Sequence, residues 1–423
     1  MLRKIIFFIK DNIPYGDFLY GKFVKVIVYL KYLVSLQRQK KIYKKICSIA
    51  RNNKRKLKIA FLVNENEKWC CQSLYDKLKQ SKHFTPVIFL TSSTDFKKED
   101  IIERYNKNIE FFNKNCNDVQ VVYNNETKQF EDFRKYNPDI VFYQQHWGIA
   151  KNQNLYSTSK FALSIYIPYS FVDCYELREK YRYSFYYLLF REYISHELVI
   201  KEYKKNGYKR NNLKVSGYTK LEKYSGKNNY EKKYVIYAPH HSFAKDSLKL
   251  GTFSWNGMFI LEYAKKHREF NWIFKPHPLC KDTLESTGVF KNMDDINSYY
   301  DEWAKIGFVY DKGNYIDLFK QAKCLITDCG SFLIEFLPTE SPVINLKRKD
   351  SVYISDITNE IIKTYYQAYS LEELKQYFND ILENNNDPKK EERLNLIKKL
   401  NLVRNASDNI INDLEETFYK NIR

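Results

Sequence analysis

The sequence lacks any apolar run of membrane-spanning length, and it has no C-x-x-C pair, no internal repeat and no low-complexity tract. A transmembrane helix needs about 20 apolar residues in succession, so an integral membrane protein is not expected. Among the eight cysteines, Cys70 and Cys71 are adjacent and suit a disulfide framework poorly, which favours a reducing cytosol. No spacing of Asp and His residues indicates a metal site, and no cofactor is predicted.

What the chain does have is length, aromatic content and positive charge. Its 423 residues, 44% hydrophobic and 17% aromatic, are enough for two domains and an appendage. The 70 Lys and Arg against 51 Asp and Glu give a net charge of +19, which favours an anionic partner. A basic adaptor for an anionic polymer or nucleic acid is one alternative. No nucleic-acid motif accompanies the charge, so nucleic acid is not an expected partner.

The amino-terminal region carries short apolar groups among lysines. The group at residues 5–9 is short and has no small-residue cleavage site after it, so no signal peptide is expected. From Lys22 to Ser48, apolar residues recur at helical spacing: Phe23, Ile27, Leu30 and Val34. We predict that residues 1–55 form a basic amphipathic helix on the anionic inner face of the cell membrane, making the protein cytoplasmic and peripheral. A helix packed on the protein body is the alternative.

After this region the pattern alternates between strands and helices. Strands are predicted at 57–63, 86–90, 119–123, 140–143 and 161–167, with helices at 69–80 and 101–113. After a polar stretch at 217–226, further strands are predicted at 234–237, 272–274, 324–327 and 343–346. Such alternation is typical of parallel sheets with helical crossovers. We therefore predict an α/β protein with two Rossmann-like domains, 56–220 and 230–423, that face a cleft.

Two predicted strands of the second half end in residues suited to an anion. Lys275 and His277 alternate with prolines after the first strand, which holds a cation and an imidazole in a stiff loop. Gly330 and Ser331 lie between the second strand and a predicted helix, whose free N–H groups favour a phosphate. The pattern predicts a diphosphate cradle. Three further residues are candidates for binding the same donor: His241, Asp328 and Glu335.

Two such halves form the GT-B architecture, which many nucleotide-sugar transferases share. Three segments, Tyr237-Ala-Pro-His-His-Ser242, Lys275-Pro-His-Pro278 and Ile326-Thr-Asp-Cys-Gly-Ser331, resemble the signature of the CDP-glycerol glycerophosphotransferase family, which includes teichoic acid polymerases. The resemblance covers mainly residues 230–350. It extends to Gln144-Gln-His-Trp-Gly148 in the first half, where the family usually reads His-Gly-Thr.

The resemblance implies an enzyme that transfers glycerol phosphate, or a related alditol phosphate, from a CDP-activated donor. The acceptor would be a cell-surface or capsular polysaccharide or a lipid-linked saccharide, and CMP would leave. His277, Gly330 and Ser331 would contact the diphosphate, and the family's other functional histidine maps onto His146. His146 is predicted to take the acceptor proton and His277 to offset charge on the leaving group. The alternative is a GT-B glycosyltransferase that uses CMP-Kdo or a UDP-sugar for capsule synthesis.

Overall fold

The chain folds around two separate parallel β-sheets whose strands end at a common cleft. The computed structural model describes residues 16–52, 54–95, 100–124, 126–171, 178–179, 181–182, 184–226, 230–243, 249–310, 314–351 and 355–420. The apolar group at residues 5–9 lies outside these ranges, and so does part of residues 175–190, an aromatic stretch for which the sequence predicts a helix. The prediction of an α/β protein with two Rossmann-like halves is confirmed.

The first sheet has seven parallel strands in the order β3-β2-β1-β6-β7-β8-β9. Its strands are β1 Leu57–Val63, β2 Phe84–Leu90, β3 Val119–Val121, β6 Ile140–Tyr143, β7 Leu163–Tyr166, β8 Arg191–Ile194 and β9 Leu213–Val215. A separate hairpin pairs β4 Tyr123–Asn124 with β5 Gln129–Phe130. The central strand β1 is buried at six of its seven positions, as expected for a strand covered on both faces.

The second sheet has six strands in the order β12-β11-β10-β13-β14-β15, and every pair is parallel. The strands are β10 Tyr234–Ala238, β11 Asn271–Phe274, β12 Phe308–Val309, β13 Ala322–Thr327, β14 Val343–Leu346 and β15 Tyr366–Ala368. In both sheets the order reverses next to the first strand, which opens a crevice at the carboxyl ends of the central strands.

Helices connect and cover the strands. In the first half they are α1 Gly16–Arg51, α2 Gln72–Gln80, α3 Asp100–Asn115, α4 Leu155–Thr158 and α5 Glu197–Lys205. In the second half they are α6 Phe253–Lys266, α7 Cys280–Thr283, α8 Met293–Ile306, α9 Ile316–Lys320, α10 Gly330–Glu335, α11 Asp356–Lys363, α12 Leu371–Tyr377, α13 Lys390–Leu400 and α14 Ala406–Glu415. Short 3₁₀ helices include Asn66–Lys68, Tyr186–Leu188 and Thr219–Tyr224.

The end of the chain returns to the first half. Ile410, Leu414 and Phe418 are buried in the same apolar cluster as Leu57 and Ile59 of β1. Side-chain contacts reinforce this packing, since Arg191 donates twice to the carboxylate of Asp413, at 2.9 and 2.8 Å. The last helix thus completes the core beside the first sheet, although it follows the second sheet in sequence. The predicted boundaries at 220 and 230 stay predictions.

No helix in the described part of the chain has the length and apolar character needed to cross a membrane.

Candidate functional site

A cavity of about 340 Å³ lies between the carboxyl ends of the two sheets. Loops from both halves line it because parallel strands deliver the residues that follow them to one edge. The first half contributes Glu65, Glu67, Lys68, Arg104, Trp147, Tyr169, Ser170 and Lys220. The second half contributes Pro239, His241, Lys275, His277, Pro278, Leu279, Tyr315, Cys329, Ser331, Phe332 and Glu335.

The structure places most of the predicted site residues around this one cavity. Five of them line it: His241, Lys275, His277, Ser331 and Glu335. Asp328 and Gly330 line a smaller neighbouring cavity instead. His146 is not among the residues that line either cavity.

Three histidines of the second half lie against one another at the ends of neighbouring strands. His240 and His241 follow β10, and His277 follows β11. The ring centroids of His241 and His277 are 4.1 Å apart, and those of His240 and His241 are 4.5 Å apart. We call these three residues the histidine cluster. Two adjacent parallel strands, β10 and β11, bring the histidine cluster together, although His277 lies 36 positions after His241 in sequence.

Backbone N–H groups fix the tautomer of two rings in the histidine cluster. The N–H of Leu279 points at Nδ1 of His277, at 3.1 Å, and the N–H of Ser242 points at Nδ1 of His240, at 3.2 Å. A backbone N–H can only donate, so each Nδ1 must be the acceptor. In a neutral ring the proton then lies on Nε2. His277, which lines the cavity, therefore presents an N–H donor.

Burial keeps the histidine cluster uncharged. The pKa of His240 falls to about 3, because burial disfavours the charged ring and the ring of His241 repels it further. The pKa of His241 falls to about 4 through burial and the ammonium of Lys68. For His277 the pKa falls well below its usual range, first through burial and then through His241, His240 and Lys275. At neutral pH the cluster offers N–H groups without positive charge.

One nitrogen atom from each ring of the histidine cluster lies within 4.8 Å of one nitrogen atom of each other ring, which is close enough to surround a metal ion. A metal ligand, however, needs a free lone pair on the nitrogen that faces the ion. In His240 and His277 the Nδ1 lone pair already accepts a backbone N–H, and the other nitrogen carries the proton. The cluster therefore suits an anion better than a cation.

Lys275 adds the positive charge on this side of the cavity. Its residue is only 5% exposed, and its Nζ lies 4.7 Å from the ring centroid of Tyr315 and 5.2 Å from that of Phe332. The aromatic faces stabilise the ammonium while it stays close to His277. A buried cation next to N–H donors favours a phosphate group.

Asp328 shapes the loop that carries His240. Its carboxylate accepts the backbone N–H of His240 at 2.6 Å and both the N–H and Oγ1–H of Thr252, at 2.6 and 2.7 Å. Burial raises the pKa of Asp328 to about 6, although these donors act in the opposite direction. Asp328 thus connects three segments of the second half and positions the histidine cluster from behind.

Glu335 joins the two halves at the floor of the cavity. The carboxylate is buried, with the residue 1% exposed, and accepts the hydroxyl of Tyr218 at 3.0 Å and that of Tyr315. Lys220 Nζ lies 3.4 Å from it. Since Tyr218 and Lys220 precede the second sheet, this carboxylate holds the connection between the halves in place, and it also lines the cavity.

His146 lies behind the cavity wall among aromatic rings. The residue is 5% exposed, and its Nδ1 is 3.0 Å from the hydroxyl of Tyr186. Its ring centroid is 4.6 Å from those of Trp147 and Tyr181. Trp147, its neighbour in sequence, lines the cavity instead. The role of His146 as a base stays a prediction.

The loop after β1 contributes three charged residues that sequence reasoning missed: Glu65, Glu67 and Lys68. Asn108 holds this loop, since its Oδ1 accepts the N–H of Asn66 at 2.8 Å. Lys68 Nζ pairs with Glu65 and lies 4.9 Å from the ring centroid of Trp147. The sequence did offer a signal, because these residues lie in the loop directly after the predicted strand that ends at Val63, and ligands bind where parallel strands end.

Solved structures with a similar fold were found, whereas no protein-family model and no curated protein sequence matches the chain. S. aureus MnaA, in a co-structure with UDP, has a TM-score of 0.56 at 10% identity, covering 86% of this chain and 98% of that one. UDP-GlcNAc 2-epimerase from Neisseria meningitidis, bound to UDP-GlcNAc, has a TM-score of 0.52 at 12% identity, covering 86% and 100%. A putative UDP-N-acetylglucosamine 2-epimerase from Listeria monocytogenes has a TM-score of 0.56 at 12% identity, covering 87% and 98%.

At such low identity the likeness shows the fold alone, and it confirms the predicted GT-B type. The resemblance to the CDP-glycerol glycerophosphotransferases was wrong, because similar solved structures are UDP-GlcNAc 2-epimerases instead. The predictions that depended on this resemblance, namely CDP-glycerol as donor, alditol-phosphate transfer and teichoic acid synthesis, are wrong with it. The physical reason is that short segments such as Lys275-Pro-His-Pro278 and Ile326–Ser331 build a strand-end anion site. They do not specify the nucleotide or the reaction.

Proposed function

We propose that this chain is an enzyme that binds a UDP-sugar in the cleft between its two halves and acts on the sugar at the cavity. The observation that carries the proposal is the cavity itself, where His277 presents an N–H donor beside the cation of Lys275. A nucleotide diphosphate needs such donors and positive charge. The fold neighbours support UDP as the nucleotide, since two of them were solved with UDP or UDP-GlcNAc.

The proposed roles divide between the two walls. His277 donates Nε2–H to a diphosphate oxygen, His241 and Ser331 line the same region, and Lys275 supplies charge. On the opposite wall, Glu67 is one of the residues that line the cavity. Glu65 is engaged with Lys68 and Glu335 with two tyrosines. Glu67 is therefore the proposed general base.

The proposed reaction is glycosyl transfer. An acceptor hydroxyl oxygen forms a bond to the anomeric carbon of the sugar while the bond from that carbon to the diphosphate oxygen breaks. The hydroxyl proton passes to the carboxylate of Glu67, and UDP leaves with the electron pair of the broken bond. The N–H of His277 offsets the charge that develops on the departing phosphate, where a donor is worth more than in water.

Epimerisation of the sugar is the second candidate, favoured by fold neighbours that are a UDP-GlcNAc 2-epimerase and a putative one. It needs no acceptor. A base takes the proton from C2 of the sugar, the electron pair of that C–H bond forms a double bond to the anomeric carbon, and UDP leaves that carbon with the electron pair of the broken C–O bond. UDP then adds back to the anomeric carbon as a proton reaches C2 from the opposite face. The same cavity would serve, with Glu67 acting on one face of the sugar. The two reactions differ in the fate of the UDP-sugar: transfer requires an acceptor and releases UDP, whereas epimerisation converts the UDP-sugar without an acceptor.

A binding test comes first. UDP and UDP-GlcNAc should raise the melting temperature of the full chain and titrate in calorimetry, and CMP should do so less, because a ligand that binds only the folded state stabilises it by mass action. The His277→Ala variant should lose most of the shift, and Lys390→Ala, on an exposed helix far along the chain, should not. No shift with UDP or any UDP-sugar would overturn the proposal.

Product analysis then assigns the reaction. UDP-GlcNAc is incubated with the chain, with and without a panel of saccharide acceptors, and followed by NMR. UDP release that depends on an acceptor supports transfer. Conversion to the C2 epimer without acceptor supports epimerisation. Tight UDP binding with neither product for any UDP-sugar would contradict the enzymatic proposal.

A further inference from the structure

Helix α1 packs on the first half along one face only. Ser35 and Gln39 are buried at 0% and 5% exposure, and Ile46 and Ala50 belong to the core beside the first sheet. At about 100° per residue these positions lie on one side of the helix. The opposite side of the same helix faces away from the protein.

The outward face carries a stripe of exposed apolar side chains, which we call the apolar stripe. Each is 40% to 55% exposed: Val26, Tyr29, Leu30, Leu33 and Val34. Their spacing of three and four residues places them together on the helix surface. They make up five of the eleven large apolar side chains that are exposed in the described part of the chain. Exposure is thus concentrated in nine residues, as at an interaction site.

Basic residues extend the same face beyond the apolar stripe. Lys40, Lys41 and Lys44 are exposed, and at 100° per residue they fall in line with Val26, Leu30 and Leu33. The rise of the helix places them roughly 10 to 25 Å further along its axis. Over its 36 residues the helix contains nine Lys and Arg but a single acidic residue, Asp17.

We infer that this face of α1 docks on an anionic lipid bilayer. The apolar stripe enters the headgroup boundary, and Lys40, Lys41 and Lys44 meet the negative headgroups. Charge decides the choice of partner, because pairing this face with a second copy would bring two strongly basic helices together. The helix lies on the surface, in keeping with the lack of a membrane-crossing helix among the described residues. The inference is independent of the nucleotide site.

The test uses the full chain and vesicle co-sedimentation. Removing the helix would also remove Ile46 and Ala50 from the core, so exposed side chains are substituted instead. We expect binding to vesicles that contain phosphatidylglycerol and little binding to pure phosphatidylcholine. The Lys41→Gln, Lys44→Gln double variant should bind about 10- to 30-fold more weakly, and binding of the unchanged chain should decrease with added salt.

Matched controls separate this surface from general charge. The Lys390→Gln, Lys398→Gln variant removes two exposed lysines from another helix and should bind as the unchanged chain does. A Leu30→Ser, Leu33→Ser variant should lose most binding, whereas Met258→Ser, elsewhere on the surface, should not. Equal weakening by both lysine pairs, or no preference for anionic vesicles, would overturn the inference. So would a change from dimer to monomer in Leu30→Ser, Leu33→Ser, seen by light scattering, with vesicle binding unaffected.

Discussion

The two walls of the cavity differ in how their side chains are held. In the second half, backbone N–H groups fix the rings of His240 and His277, and hydroxyl groups fix Glu335. In the first half, Lys68 is held mainly by its ion pair with Glu65 and by contacts with the rings of Trp147 and Tyr169. A preorganised wall suits the part of a ligand that does not change, and a more adaptable wall suits the part that reacts. Substitutions on the two walls should therefore separate affinity from turnover.

The largest effect on turnover is expected on the cavity wall that the first half contributes. Glu67→Gln removes the proposed proton acceptor but keeps the shape of the side chain, so kcat should fall by about 10² to 10⁴. The Kd for UDP should stay within about twofold, since Glu67 is not a proposed diphosphate contact. Turnover assays and calorimetry on the same preparation measure both. Glu126→Gln, an exposed first-half position, is the control, and a loss of affinity as large as the loss of turnover would contradict the division.

At the second wall, His277→Ala should raise the Kd for UDP by about 10- to 100-fold, because a hydrogen bond to a charged group is lost. His277→Gln places an amide N–H near the position of Nε2–H and should recover much of that affinity. The comparison of Ala with Gln by calorimetry tests the tautomer directly. Equal losses in the two variants would mean that His277 does not act as a donor.

A smaller effect is expected for His146, which lies behind Trp147. His146→Ala should lower kcat by about tenfold and leave the Kd for UDP nearly unchanged, because the cavity wall shifts while the diphosphate contacts remain. Trp147→Phe provides a milder change of the same wall. If the loss of kcat in His146→Ala reached that in Glu67→Gln, with a matching change in the pH profile, His146 would be the base.

The smallest effect is expected for pH, because the histidine cluster should not change the UDP-sugar affinity at moderately acid pH. The pKa values of His240 and His241 are lowered from 6.5 to about 3 and about 4, so the cluster stays neutral at moderately acid pH. The histidines should therefore add no pH dependence to UDP-sugar affinity between about pH 8 and about pH 5, and any change near pH 6 would come from Asp328. The unchanged chain and the His277→Gln variant should then share one pH profile. Affinity that rises steeply as the pH falls below 7 in the unchanged chain but not in His277→Gln would show that a charged histidine binds the diphosphate.

The same lowered pKa values make the free energy of unfolding depend on pH. The unfolded chain binds protons near pH 6.5, whereas the folded cluster stays neutral, so the stabilising effect is present above that pH. It is lost progressively as the pH falls below 6.5, and the loss is complete at about 4 for His241 and at about 3 for His240. Each neutral histidine should cost about 1.4 kcal/mol of unfolding free energy per pH unit below 6.5. His241→Gln should make the decline shallower in denaturation series.

Several strands could be predicted from the sequence because an uninterrupted apolar run marks a strand buried on both faces. Ile140–Tyr143 and Val343–Leu346 match their predicted bounds. Strand β8 was missed since it contains Arg191 and Glu192. Glu192 is buried, at 1% exposure, because Arg178 pairs with it at 2.7 Å. An ion pair between separate segments leaves no periodic signal.

The candidate site shows the same division. Lys275, His277 and Ser331 could be placed because each follows an apolar strand, where a sheet delivers its ligands. Tyr218 and Tyr315, which hold Glu335, come from different halves of the chain, and only the packing of the two halves brings them together. Glu65 and Glu67 also follow a predicted strand, but Glu and Lys are so common on protein surfaces that their presence there did not indicate a site.

The return of the last helix to the first sheet affects how the protein is made. Ile410, Leu414 and Phe418 complete a core that begins with Leu57. During synthesis, the first half must therefore wait for almost the entire chain before its apolar surface is covered. A fragment that ends near residue 220 would leave that surface open to aggregation, so the two halves cannot be separated by a simple cut between them.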